Sequence, residues 1–165
     1  MPYIYNLAKT RQFAANFKTV TEDYPSLIKK EGGANDLKQC PNFEKTECVS
    51  GDQYASEHPE LGMRTKSGDS LFAIDYGRNF KVVIAEMKFR CDTKGSCENL
   101  ASDIKEKTVK TKQHFTGAIF HDFVYVLVDS GKQRLLNTLC KQLTGGKIKY
   151  KVTTLQEMHE KFFTA

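Results

Sequence analysis

Asp69, Glu86 and Lys88 are side chains of the types that together carry phosphoryl chemistry. Two carboxylates held close together repel, and each raises the other's pKa unless a cation stands between them. Mg²⁺ suits such a pair, because it takes oxygen ligands, keeps several waters and shares its shell with substrate phosphate. Bound there, Mg²⁺ (or Mn²⁺ in its place) polarises a phosphoryl oxygen and lowers the pKa of a bound water. A lysine alongside orients that water and stabilises the charge that develops on phosphorus. Glu-x-Lys is a common pattern on its own. Its position in the chain is what makes it specific.

That position follows from a hairpin. Leu71-Phe72-Ala73-Ile74 and the run from Phe80 to Phe89 are β-rich, and Gly77-Arg78 lies between them. A two-residue loop with glycine first predicts a type II′ turn. The turn sets Tyr76 opposite Asn79, Ala73 opposite Val82, Leu71 opposite Ile84 and Asp69 opposite Glu86. Opposed residues share a face with Cβ atoms about 5 Å apart. Lys88, two residues beyond Glu86, projects from the same face. One face of the hairpin is therefore apolar over its inner half and ends in an acid pair and a lysine. Asp75 is the alternative acid. It has the right parity but faces Phe80, six residues or roughly 20 Å from Glu86 along the strands. The plain reading of the group is a solvated strand end with a weak Lys–Glu ion pair.

The surrounding chain supplies elements to hold this group. Residues 3–30 carry Ile4, Leu7, Phe13, Phe17, Val20, Leu27 and Ile28, which predicts one or two amphipathic helices broken near Pro25. Residues 31–67 are dense in turn signals, which predicts an irregular insertion with a short strand, a candidate recognition segment. Leu100, Ile104, Thr108, Thr111 and Phe115 recur at helical spacing within 97–115. Phe123–Val128 reads as a buried strand. A helix over 131–143 stops at Gly145-Gly146, and 147–153 alternates like a half-exposed strand. Thr154-Leu155-Gln156-Glu157 is a capping box opening a last helix. The order predicts one α/β domain over 1–165, a mixed β-sheet flanked by helices.

At 165 residues, with 39% hydrophobic and 27% charged residues, the chain is long and apolar enough for a core without disulfide or metal staples. No apolar run approaches the roughly 20 residues of a membrane span. The N-terminus lacks a basic segment followed by an apolar one. A cytoplasmic protein with no membrane partner is the expectation. The net charge of +5 is clustered: Gly131–Lys151 holds six basic residues and no acid, and Ile104–His114 holds four lysines against Glu106. Clustered basic charge suits a phosphate backbone. The cysteines (Cys40, Cys48, Cys91, Cys97, Cys140) are odd in number and form no CxxC pair, which predicts reduced thiols. A four-cysteine zinc site built from the first four is the alternative. His58, His114, His121 and His159 show no metal-ligand spacing, and neither a phosphate-binding glycine loop nor a G-x-S-x-G elbow occurs.

With Asp69, Glu86 and Lys88 placed, the segment from Asp69 to Asp129 resembles the core of the PD-(D/E)XK nuclease superfamily. That restriction-endonuclease-like core runs αβββαβ, with Asp on the second strand, Glu-x-Lys on the third, then a helix and a strand. Here an extra C-terminal αβα would follow. RecB-like members add a Gln on the following helix. Gln113, 27 residues after Glu86, fits that slot, but Gly117 replaces the companion Tyr and Gly68 replaces the usual Pro. A first-helix Glu often assists the metal, and Glu22 is the candidate. The resemblance implies a Mg²⁺-dependent endonuclease hydrolysing DNA phosphodiester bonds to 5′-phosphate and 3′-hydroxyl ends. Asp69, Glu86 and the Met87 carbonyl would hold the ion, Lys88 would assist the attacking water and Gln113 would join the catalytic set. Lys105, Lys110, Lys112, Lys132 and Arg134 would contact phosphates, setting position rather than sequence. DNA is the expected partner and RNA the alternative. Two cuts in a duplex ask for two active sites, which a homodimer would supply. Restriction, toxin and repair roles all fit. The competing reading is a catalytically inactive nuclease-fold module that binds nucleic acid or a protein partner, as an immunity or assembly factor.

Overall fold

The hairpin forms where the glycine allows it. In the computed structural model, which describes residues 4–61, 69–92 and 99–164, Gly77 has φ +61° while Arg78 does not adopt positive φ. A type II′ turn needs this asymmetry, and glycine meets it without strain. Strands β3 (Ser70–Tyr76) and β4 (Asn79–Lys88) flank the turn and pair antiparallel. Tyr76 lies opposite Asn79, Ala73 opposite Val82, Leu71 opposite Ile84 and Ser70 opposite Ala85, which is the expected register.

Four further strands complete one sheet: β1 (Glu22–Asp23), β2 (Glu47–Ser50), β5 (Phe123–Val128) and β6 (Lys149–Thr153), in spatial order β1-β2-β3-β4-β5-β6. The first four strands pair antiparallel, and β4, β5 and β6 run parallel. Parallel neighbours need crossovers. Helix α5 (Leu100–His114) links β4 to β5, and α6 (Gln133–Gln142) links β5 to β6. Both steps go the same way along the sheet, so both helices cover one face. There Leu100, Ile104, Leu135 and Leu139 pack on Val126, Val128 and Val152. Helix α1 (Leu7–Asn16) extends that layer, with Phe13 and Phe115 over Leu71, Val82 and Ile84. The opposite face buries Phe72, Val83, Met87 and Leu127 under α2 (Tyr24–Lys30), α3 (Ala34–Leu37) and α7 (Leu155–Phe162). The chain is thus α/β, a six-strand mixed sheet flanked by helices. Among the described residues no helix is long and apolar enough to cross a membrane.

Three local expectations change. Pro25 does not break a helix; it sits in the first turn of α2, where its missing N–H costs nothing, behind Asp23 as N-cap. The irregular stretch holds the short strand β2, but also α3, α4 (Gly51–Glu57) and a 3₁₀ turn at Pro59–Leu61, with residues 62–67 outside the described residues. Elements of four to seven residues are too short to show a period. The box before α7 half forms: the Glu157 N–H donates to Thr154 Oγ1, while the Glu157 carboxylate takes the Thr153 hydroxyl.

Gly33 joins α2 and α3 hard against the end of β4. A Cβ built there would meet Ile28 Cγ2 at 2.7 Å and the Phe89 ring at 2.8 Å, and Phe89 follows Lys88 directly. Gly33→Ala is therefore expected to cost about 1–3 kcal/mol through overpacking. A thermal melt checks this as a fall of about 2–4 °C per kcal/mol for a chain of this size. An unchanged melting temperature would show that the packing there gives way freely.

Candidate active site

The site lies at the carboxyl ends of the parallel strands, where open α/β sheets take their ligands. Glu86 and Lys88 end β4 on the face that α5 covers. Asp69 immediately precedes β3, one step beyond the last ladder pair, and its Oδ2 accepts the Met87 N–H at 2.7 Å. This side-chain bond continues the hairpin ladder and locks the acid beside Glu86. From across the face, α5 brings a fourth group: Lys107 Nζ lies 3.5 Å from Asp69 Oδ1 and 3.8 Å from Glu86 Oε2. Lys88 Nζ stands 3.9 Å from the same Glu86 oxygen.

Glu86 dominates the electrostatics. Its side chain is fully buried, and neither oxygen has a hydrogen-bond partner among the described residues. Burial pushes its carboxyl well above the usual range and neighbouring Asp69 adds to the rise, with Lys107 and Lys88 opposing. Burial alone would lower Lys107, but Asp69 and Glu86 outweigh it and leave the ammonium raised. The charge of Glu86 extends to Tyr150 on β6, whose hydroxyl is raised chiefly by burial and donates to Thr108 Oγ1 at 3.1 Å.

A buried carboxylate with two unmet oxygens is costly. Beside it lies a second carboxylate and no nitrogen or sulfur donor of His or Cys, since among the described residues no group of three or more His, Cys, Asp or Glu converges. Two hard oxygen ligands and unmet acceptor capacity fit Mg²⁺, which completes its shell with water and phosphate rather than with protein. Asp69 and Glu86 would hold the ion.

The other predicted residues fall in different places. Gln113 is exposed. The buried stripe of α5 runs through Ile104, Thr108 and Thr111, and nine residues from Ile104 is two and a half turns, so Gln113 points away from the sheet. No hydrogen bond among the described residues joins it to the acids. Lys107, on the flank of the stripe, reaches the position that Gln113 was expected to fill. Lys132 is half-buried, and its ammonium donates to the Phe89 and Cys91 carbonyls at 2.9 and 2.6 Å, pinning the chain that leaves β4. It serves the scaffold of the site rather than a phosphate. Lys105, Lys110 and Arg134 are exposed, and Lys112 lies over the Phe120 ring. The Met87 side chain packs in the core while its N–H serves Asp69. Asp75 lies opposite Phe80 and is bound by Lys9 at 2.9 Å and Asn6 at 3.0 Å.

Glu22 sits on the edge strand β1, opposite Cys48. The acid that feels the site is Glu31, at the end of α2. Its carboxyl is raised by burial, then by Asp69 and Asp52, against Arg90 and Lys30. That influence arises from the packing of α2 on β4, which no local pattern reveals. The thiols of Cys40 and Cys48 are buried in the core, the former pushed up to about 11 by burial. Cys91 and Cys140 are half-buried and unpaired, and Cys97 lies outside the described residues. His58 pairs with Glu60 and lies tilted against Tyr54, and His159 is buried beside Phe163.

Searches against protein-family models, curated proteins and solved structures return no significant match.

Proposed function

We propose that this chain is a Mg²⁺-dependent endonuclease that hydrolyses phosphodiester bonds, with DNA as substrate, working in a reducing, cytoplasmic compartment. One observation carries the reading: a fully buried Glu86 with two unmet oxygens lies beside Asp69 and Lys88 at the carboxyl edge of the sheet. The ion supplies Lewis acidity and an acidified water when bound. The chain does the rest. Asp69 and Glu86 fix the ion's place, the former held rigid by the Met87 N–H. Lys88, only 12% exposed, orients the attacking water and balances charge on the phosphoryl group. Lys105, Lys110 and Arg134 offer exposed cations to a phosphate backbone.

A second reading is favoured by Lys107. Its ammonium already neutralises the acid pair, as it would in an inactive module that binds nucleic acid or a protein. Nicking of supercoiled plasmid, alongside single-stranded DNA and RNA, separates the two. Cutting is expected with Mg²⁺, none with EDTA, and a drop of about 10²-fold in Lys88→Ala. Failure to cut any form would leave the inactive module as the account, and cutting unaltered in Lys88→Ala would remove Lys88 from the catalytic set.

A further inference from the structure

Lys107 belongs to no motif in the sequence, yet among the described residues it is the one cation that touches both acids. Of the two acids, Lys88 contacts Glu86 among the described ion pairs. The manner of contact is informative. The ammonium stands 3.8 Å from Glu86 Oε2, an ion contact without a hydrogen bond, and its nearest approach to Asp69 is 3.5 Å. Glu86 Oε1 has no hydrogen-bond partner among the described residues. Lys107 thus neutralises the pair by charge while satisfying little of its acceptor capacity. A strongly hydrated ammonium on a four-carbon stem is the side chain best able to leave such a place. Its side chain is 25% exposed, twice the value for Lys88, so a way out to solvent exists. Its backbone is fixed in mid-α5, where its carbonyl accepts Thr111 Oγ1 at 2.8 Å, so the side chain can move without the helix. A divalent ion held by the same two carboxylates would repel the ammonium directly.

We propose that Lys107 is a displaceable counter-cation: it neutralises the Asp69–Glu86 pair in the metal-free protein, yields its place to the incoming divalent ion, and then presents its ammonium to a substrate phosphate. This rests on the reading of the site as a metal site, and goes beyond it by making metal affinity and phosphate capture depend on one residue. Competition with a resident cation weakens metal binding, so removing that cation strengthens it.

The test is Mn²⁺ titration by calorimetry on the full chain without nucleic acid, with thermal melts in EDTA. Lys107→Met is expected to bind Mn²⁺ at least tenfold more tightly than wild type and to melt lower without metal. Lys107→Arg, whose planar fork grips carboxylates more firmly, is expected to bind Mn²⁺ at least threefold more weakly. That variant keeps the charge and carries the test alone if the methionine variant does not fold. In a Lys88→Ala background, which slows cutting of a labelled oligonucleotide, the gain in oligonucleotide affinity on adding Mn²⁺ should shrink at least fivefold with Lys107→Met. Mn²⁺ affinities that are equal, or that run in the opposite order, overturn the proposal and leave the nuclease reading to the cutting assay. No Mn²⁺ binding by any variant overturns both.

Discussion

Replacing Glu86 by glutamine is expected to abolish metal-dependent cutting and to make the metal-free protein more stable. The loss of cutting should reach about 10³-fold, about 4 kcal/mol of transition-state stabilisation, because an amide oxygen holds a divalent ion far less firmly than a carboxylate. The gain in stability follows from linkage. Burial and Asp69 raise the Glu86 carboxyl above its unfolded value. Between the unfolded and the folded pKa the native state therefore holds a proton that the unfolded state gives up, and stability falls as pH rises through the ordinary carboxylate range towards the folded pKa. Glutamine has no proton to lose. Its melting temperature should match wild type below about pH 4 and exceed it increasingly towards neutrality, by about 3–5 °C for each pH unit of pKa elevation. Melts at three pH values in EDTA check this, and added Mg²⁺ should narrow the gap by stabilising wild type alone. Equal melting temperatures at pH 7, or a gap that widens on acidification, would mean that Glu86 is well accommodated as an anion.

Asp69 and Asp75 are two acids of one face, and their substitution should separate cleanly. Asp69→Ala removes a metal ligand and the acceptor of the Met87 N–H. Cutting should fall by about 10³-fold, and the stranded N–H should cost about 1–3 kcal/mol. Asp69→Asn retains an oxygen for Met87, so it should lose the cutting and keep most of the stability. Asp75→Ala gives up a half-exposed ion pair with Lys9 and a bond from Asn6 at the far end of β3. It should leave cutting unchanged and cost no more than about 1 kcal/mol. Plasmid nicking and thermal melts on the three variants decide the matter. Loss of activity in Asp75→Ala equal to that in Asp69→Ala would move the site to the other end of the hairpin.

What the sequence revealed depended on distance along the chain. The hairpin register could be read because a two-residue turn leaves no freedom: once Gly77 takes positive φ, every pair from Tyr76–Asn79 to Ser70–Ala85 follows. Asp69 then had to meet Glu86. The rotation of α5 was harder to read. Two of its buried residues, Thr108 and Thr111, are threonines, so the inward stripe is only weakly apolar and its flanks are poorly marked. Gln113 was placed by its spacing from Glu86. A helical wheel centred on Ile104 turns it outward and brings Lys107 to the edge of the core. Lys132 looked like one more surface cation in a basic run. Only the tertiary path of the chain after β4 shows that two carbonyls occupy it. The influence of Asp69 on Glu31 likewise follows from the packing of α2, where Gly33 lets the turn sit against Phe89.

The central claim is that Asp69 and Glu86 hold one divalent ion between them. Anomalous diffraction from crystals soaked in Mn²⁺ tests it without reference to substrate. The account predicts a peak between the two carboxylates with the Lys107 ammonium drawn aside. Crystals that show no peak there, with Lys107 still resting on both acids and Glu86 as closed off as before, would contradict it.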